Sequence, residues 1–322
     1  MSSRPSWNVT TSMQTLTSFV AGELLADLVD DGHDIVVLTA DLATSNKLVD
    51  FADRHPERFF NVGIAEQNMM SVAAGLAACG HQVFVATFAS FASLLCAEHL
   101  RTDLAYPHVP VRVLAHHAGV AMGFYGTSHH AVEDIAITRA IAGMTVISPS
   151  DTKSVRAALL ASLDEPGPVY LRLGRGRDKD VYSETPTLTR GRLLTVREGA
   201  DATVIATGIG VAEAAAAADQ LRTEGLSIRV LDAVWLKPFD SATAVKAARE
   251  TGAILTVEEH NVVNGLGTAV AESIALAGVA ARLDRIALQD EYAVVAPPTH
   301  LYRKYGFTAE SIAARLRALL GR

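Results

Sequence analysis

A handful of residues in this chain have the types and spacing that chemistry needs. Glu66 is a lone carboxyl ahead of a stretch, Gln67 to Ala97, that carries no charge at all. A carboxyl so placed can hold or release a proton. Phe88 and Phe91 stand three apart and can pack on a flat ring. His116, His117, His129 and His130 fall in one loop region, where imidazoles can hold and move protons. Arg175 offers a planar fork suited to phosphate or carboxylate. Asp41 and Ser45 sit in a short polar segment, Ala40 to Asn46. Each has a plain structural alternative. Asp41 could cap a helix, Glu66 could simply favour a helix start, the two phenyl rings could be core, and Arg175 could be a solvated connector.

The elements that must position these residues are legible as apolar runs. Strands are expected at Ile35–Thr39, Phe59–Val62, Gln82–Thr87, Val111–Leu114, Thr145–Ile147 and Val169–Leu173. Helical patterns fall between most of them, including Leu16–Val29, Ala65–Ala78 and Thr152–Leu163. Alternation of this kind predicts a mostly parallel sheet covered by helices on both faces. Ligands in such sheets gather beyond the carboxyl ends of the strands. The polar and aromatic residues above all follow strand ends, with Arg172, Arg175 and Arg177 after the last. The stretch Gly174 to Gly191, rich in Gly, Arg, Asp, Thr and Pro, reads as a linker. A second α/β unit follows, with strands Ala202–Thr207, Ser227–Leu231, Ile254–Val257 and Leu283–Leu288. Its helices are expected at Val211–Glu224, Ala242–Thr251, Thr268–Ala277 and Ala309–Leu320. The domains then run 1–175 and 191–322, with 176–190 between them.

Composition narrows the function classes. The chain has 322 residues, a net charge of -7, and no run of Lys and Arg, which argues against nucleic acid as a partner. Charged residues make up 20%, below the usual quarter, as expected if much surface is buried against another subunit. Cys79 and Cys96 lie outside any metal-spaced cluster and read as small buried apolar residues. No metal ligand is expected from this chain. The break Gly80-His81-Gln82 divides the uncharged stretch into a helix and a strand, so no membrane span is expected there. A cytoplasmic protein acting on a small-molecule substrate is the default.

Four segments, in order, carry a family resemblance: DLATSN (Asp41 to Asn46), FFNVGIAEQNM (Phe59 to Met69), TFASF (Thr87 to Phe91), and HAGV with the later SHH and EDIA (Glu133 to Ala136). Together they resemble the second half of transketolase, the pyrimidine-binding domain followed by the C-terminal domain. The resemblance implies thiamine diphosphate as cofactor and transfer of a two-carbon ketol or acyl unit. It makes Glu66 the carboxyl that activates the cofactor's aminopyrimidine, with Asp41, Phe88 and Phe91 also on the cofactor. It makes His117 and His129 catalytic and donor-contacting, and Ser45, Tyr125 and Arg175 substrate-binding. The family's Gly-Asp-Gly diphosphate segment does not occur in the sequence. The ligands of Mg2+ are therefore expected from a separate partner chain carrying the diphosphate-binding domain, in an α2β2 assembly with a homodimeric core of this chain.

Some positions depart from the family pattern. Phe124 and Tyr125 stand where an acidic pair is usual, His130 where a Gln is usual, and Leu94 where a third aromatic is usual. Thr11 to Gly22 lacks the customary basic residue. Losing a carboxylate partner for a donor hydroxyl favours a smaller, less hydroxylated donor such as a 2-oxo acid. The alternatives are the β subunit of a 2-oxo-acid dehydrogenase, or a non-catalytic subunit of the same fold.

Overall fold

The computed structural model describes residues 20–175 and 178–322. Six strands of the first unit, β1 (Ile35–Thr39), β2 (Phe59–Asn61), β3 (Gln82–Phe88), β4 (Val111–His116), β5 (Thr145–Ile147) and β6 (Val169–Arg172), are mutually parallel in the order β5-β6-β4-β3-β1-β2. Both faces are covered. Ile35 and Val37 pack with Leu24 and Leu25 of α1 (Val20–Asp30), and with Phe51 of α2 (Val49–Arg54). Val36 and Leu38 point the other way, onto Met69, Met70 and Ala73 of α3 (Glu66–Ala78). Two buried faces explain why the strands read as continuous apolar runs. Each large side chain so buried contributes about 1.5–3 kcal/mol.

After β3 the chain takes wide helical turns. Two π-helical stretches, Phe91–Leu95 and Leu100–Ala105, flank the short α4 (Ala97–His99). Such turns are rare and cluster at functional sites. α5 (Asp134–Ala140) and α6 (Thr152–Leu163) complete this unit. α6 opens with a capping box, in which the Asp151 carboxyl accepts from Ser154 N at 2.8 Å and the Ser154 hydroxyl accepts from Asp151 N at 2.9 Å.

The second unit has five strands in one sheet: β7 (Leu194–Arg197), β8 (Ala202–Ala206), β9 (Ile228–Asp232), and, after β10 (Trp235–Lys237), β11 (Ala253–Asn261) and β12 (Arg282–Leu288). Their order is β12-β11-β8-β9-β7, parallel except for β7. α7 (Gly210–Arg222) and α8 (Ser241–Thr251) follow β8 and β10; α9 (Leu266–Leu276), α10 (Pro298–Lys304) and α11 (Ala309–Leu320) come later. Val211 and Ala214 of α7 and Ile312 and Leu316 of α11 share one core with Val204 and Val257, while Ala244 and Val270 pack on the other side with Ile205 and Ile254.

β10 does not join this sheet. It pairs antiparallel with β5 and becomes the edge strand of the first sheet. The sequence offers little warning: the strand is three residues long and Pro238 follows at once, too short for any period to show. The expected linker is no loose tether. Val181 N and Tyr182 N both donate to Asp151 at 2.9 Å, and the Tyr182 hydroxyl donates to Asp232 at 2.8 Å. Cys96 is buried as expected, but Cys79 is exposed. It caps α3 off the buried stripe of Met69, Ala73 and Ala77. The uncharged stretch 67–97 is mainly α3 and β3, and no described helix is long and apolar enough to cross a membrane. Of the expected helix Leu16–Val29, residues 16–19 lie outside the described residues, as do Arg177 and most of Thr11 to Gly22.

Candidate active site

The carboxyl edge of the first sheet places the candidate residues by register. Phe88 ends β3 opposite His116 at the end of β4, and Ala115 lies opposite Arg172 at the end of β6. One residue further, His117 holds a left-handed backbone (φ 61). A non-glycine residue there costs of order 1 kcal/mol and is typical of sites. Its peptide is fixed by the neighbouring strand, with His117 N donating to Gly174 O at 3.3 Å and Ala118 N to Leu173 O at 3.0 Å.

A ring cluster results. The Phe88 centroid lies 5.6 Å from Phe91, 4.6 Å from His117 and 5.9 Å from His129. Phe91 meets His129 edge-on at 5.3 Å, and Tyr125 stacks on His129 at 4.8 Å. Phe88 and His117 are buried, His129 is half-buried, and Phe124 and Tyr125 are exposed at the rim. Five of the expected site residues are therefore linked in one chain of ring contacts. Burial, then the charge of Arg175, push His117 down to about 4. Burial also lowers His129. Both imidazoles are thus neutral near pH 7 and able to accept a proton or a hydrogen bond. His116 is more deeply buried, which pushes it down to about 3.

Glu66 is the first residue of α3, 6% exposed, where the helix dipole favours a carboxylate. Its neighbour Gln67 donates to Leu95 O at 3.1 Å, tying the helix start to the π-helical stretch that begins with Phe91. The Cys96 thiol beyond that stretch is pushed up to about 12, by burial first and by the field of Glu66 second. Asp41, with φ 60, is tied to the loop ahead of Glu66 by Asn61, whose carbonyl oxygen accepts from Asp41 N at 2.9 Å and Gly63 N at 3.0 Å. Ser45 is exposed on the same loop, and Arg175, shortly after β6, donates to Ala121 O at 3.2 Å. Leu94 is half exposed rather than in the ring cluster. Among the described residues no group of three or more His, Cys, Asp or Glu could hold a metal ion.

Three features went unread in the sequence. Asn61 joins the loops of Asp41 and Glu66, although it stands inside the FFNVGIAEQ run. Asn46 is fully buried, with no hydrogen-bond partner for its amide among the described residues. Arg172, expected at the strand end with Arg175, turns inward instead. Its Nε donates to Asp134 at 2.8 Å, and both side chains are buried.

Family models match over nearly the whole length: "Transketolase, pyrimidine binding domain" at residues 14–178 and "Transketolase, C-terminal domain" at residues 191–312. The chain is 40% identical over 297 residues to a "putative transketolase C-terminal section" of Methanocaldococcus jannaschii, covering 92% of this chain and 93% of that protein. It is 38% identical over 291 residues to one of the subunits of an apulose-4-phosphate transketolase from Phocaeicola vulgatus, covering 90% and 93%. A solved structure described as "split gene transketolase, inactive beta4 tetramer" superposes with a TM-score of 0.84 at 42% identity, covering 93% of this chain and 96% of that one. The fold, the ordered motif segments and these matches agree: the chain belongs to the transketolase family, as a transferase subunit corresponding to the C-terminal section of a split transketolase.

Proposed function

We propose that this chain is the pyrimidine-side subunit of a two-chain enzyme that moves a two-carbon ketol or acyl unit between small molecules. A separate chain carries the diphosphate-binding domain and the Mg2+ ligands. The observation that carries the reading is the convergence of a buried carboxyl, two phenyl rings and two neutral imidazoles at one sheet edge. These residues fit the pyrimidine end of thiamine diphosphate, since an aromatic amine needs both a flat apolar wall and a proton-bearing carboxyl. When bound, that cofactor supplies the electron sink for breaking a carbon–carbon bond. Glu66 would hold the cofactor's pyrimidine through a hydrogen bond between its carboxyl and a ring nitrogen. Phe88 and Phe91 exclude water from that contact, and Asp41, fixed by Asn61, closes the same side.

His117 and His129 accept hydrogen bonds and protons from donor oxygens at their imidazole nitrogens. Arg175, with guanidinium hydrogens beyond its bond to Ala121, and the Ser45 hydroxyl hold the donor's anionic end. Tyr125 lines the entrance through its stack on His129, and with Phe124 favours a donor less hydroxylated than an ordinary ketose phosphate. The domain limits go with this reading: 1–175, a linker at 176–190, and 191–322, working in the cytoplasm.

The assembly we propose contains two copies of this chain and two partners. Beyond Glu66, α3 carries no charged side chain, yet Val72 and Gly75 are exposed along it, as suits a face covered by another subunit. The test is co-purification with the partner chain. The pair should bind thiamine diphosphate and turn over a ketose or 2-oxo-acid donor, and mass measurement should give two of each chain. Robust turnover by this chain alone would defeat the two-chain reading.

A further inference from the structure

The loop from His117 to His129 belongs to the first domain, yet part of its support comes from the second. Glu259, near the end of β11, is buried, and its Oε1 accepts from Val120 N at 2.7 Å across 139 residues of sequence. Val120 is itself fully buried, so this amide has no water to fall back on. The fit extends to the residue before it. Gly119 holds φ 67, and a Cβ there would lie 2.1 Å from the Glu259 carboxyl carbon. Gly119 N and O are meanwhile paired with Ala131 O and N, both at 2.9 Å, which closes the base of the loop.

The same strand end grips the loop's far side. Asn261 N donates to Val132 O at 2.8 Å, and Ala136 N donates to His260 Nε2 at 3.3 Å. Arg172 ties the two together, its Nη2 donating to Glu259 O at 2.8 Å and to Ala131 O at 3.2 Å. Tyr302 of α10 sets its hydroxyl against the Glu259 carboxyl. Arg172, Asp134 and Asp178 are the charged groups whose fields reach that carboxyl, and burial pushes it up to about 8. Burial thus favours its protonated form, a state glutamine can imitate.

We propose that Glu259 is a positioning residue for the two-histidine loop, holding Val120 N–H so that His117 and His129 keep their places around Phe88. This rests on the reading of those histidines as donor-contacting. A merely structural carboxyl would affect stability alone. A positioning one should move the donor's KM while leaving cofactor affinity unchanged, and should be rescued by the conservative substitution.

The test uses the full chain with its partner and compares Glu259→Ala, Glu259→Gln, Glu259→Asp and Gly119→Ala. Hydrogen exchange of the peptide spanning 117–132, donor KM, kcat and thiamine diphosphate affinity are measured. Loss of one buried hydrogen bond should speed exchange at this peptide and raise donor KM by about tenfold in Glu259→Ala. Cofactor affinity should stay within about twofold, and Glu259→Gln should keep both properties within about threefold of the parent. Gly119→Ala, which pushes the carboxyl away but also strains a left-handed backbone (φ 67), should reproduce the Glu259→Ala pattern, and Glu259→Asp, too short to reach Val120 N, decides the matter if Glu259→Ala does not fold. Unchanged exchange, or faster exchange with an unchanged donor KM, would overturn the proposal. So would a Glu259→Gln variant as impaired as Glu259→Ala. A parent pair without any turnover would sink the functional reading instead, and the exchange measurement would still decide whether Glu259 holds the loop.

Discussion

The two sheets present the same architecture and use the same edge for opposite ends. At the carboxyl edge of the first, Phe88, His117, His129 and Tyr125 converge with rings in contact, and part of the cluster is open to solvent. At the carboxyl edge of the second, the acids turn inward and each accepts hydrogen bonds from within the protein. Glu258 accepts from Leu266 N at 2.6 Å and Gly267 N at 2.8 Å, sealing the start of α9. Glu259 takes Val120, and Asp232 takes the hydroxyls of Ser150 at 2.7 Å and Tyr182 at 2.8 Å. Position at a sheet edge is therefore not enough to make a site. What separates the two edges is whether the polar groups have spent their hydrogen bonds inside the protein. The second edge is the scaffold against which the first is built.

That contrast can be broken at either edge. The largest effect is expected at the first: Glu66→Gln in the reconstituted pair should lower turnover by about 10²–10⁴-fold with thermal stability unchanged. Near-normal turnover would show that another carboxyl does this work. Where polar groups are spent inside the protein, as in the buried Arg172–Asp134 pair behind the first edge, the loss should be one of stability. Arg172→Met leaves Asp134 buried without its partner and should cost about 3–5 kcal/mol in urea unfolding, much of it restored when Asp134→Leu is added. A single variant as stable as the parent would contradict a scaffold role. Smaller again is the effect at the rim of the ring cluster. Tyr125→Asp should move the ratio of specificity constants toward xylulose 5-phosphate and away from pyruvate by roughly 10–100-fold, as expected for regaining a charged hydrogen-bond partner. If the ketose phosphate already wins by a wide margin in the parent, the donor reading fails.

A separate effect, read as a slope against pH, concerns Asp232. Burial holds its pKa up at about 7. A carboxyl whose folded pKa is raised binds its proton more tightly when folded, so stability falls as pH rises from the ordinary carboxylate range to about 7, then levels off. Asp232→Asn should flatten that decline in a series of melting curves. An unchanged slope would assign the pH dependence to other groups.

Much of the first edge was legible because its strands are covered on both faces. Runs such as Ile35–Thr39 and Thr145–Ile147 carry no charge and only a terminal threonine to blur them, and their ends mark where ligand-facing residues begin. The contact among Phe88, Phe91, His117, His129 and Tyr125 follows from those ends and from the ordered motif segments. The second edge was not legible. Nothing local to Glu259 points to Val120, far away in the chain, and Glu258 next to it looks identical while serving a helix start. β10 was missed for a related reason: three residues before a proline show no period, and their partner β5 lies in another domain. Cys79 misled because small apolar residues crowd both faces of α3, so its outward side reads like its buried one.

The crossing of β10 also bears on how the chain is made. β5 is complete at residue 147, but the strand that covers its open side begins at residue 235. On a ribosome adding about 5–20 residues per second, the first sheet would wait several seconds with one edge unpaired. Exposed backbone donors and acceptors of that kind recruit stray strands. The first sheet therefore cannot be completed until the chain has passed well into the second domain, which couples the folding of the two. Cutting the chain between them would leave the nascent edge bare for good.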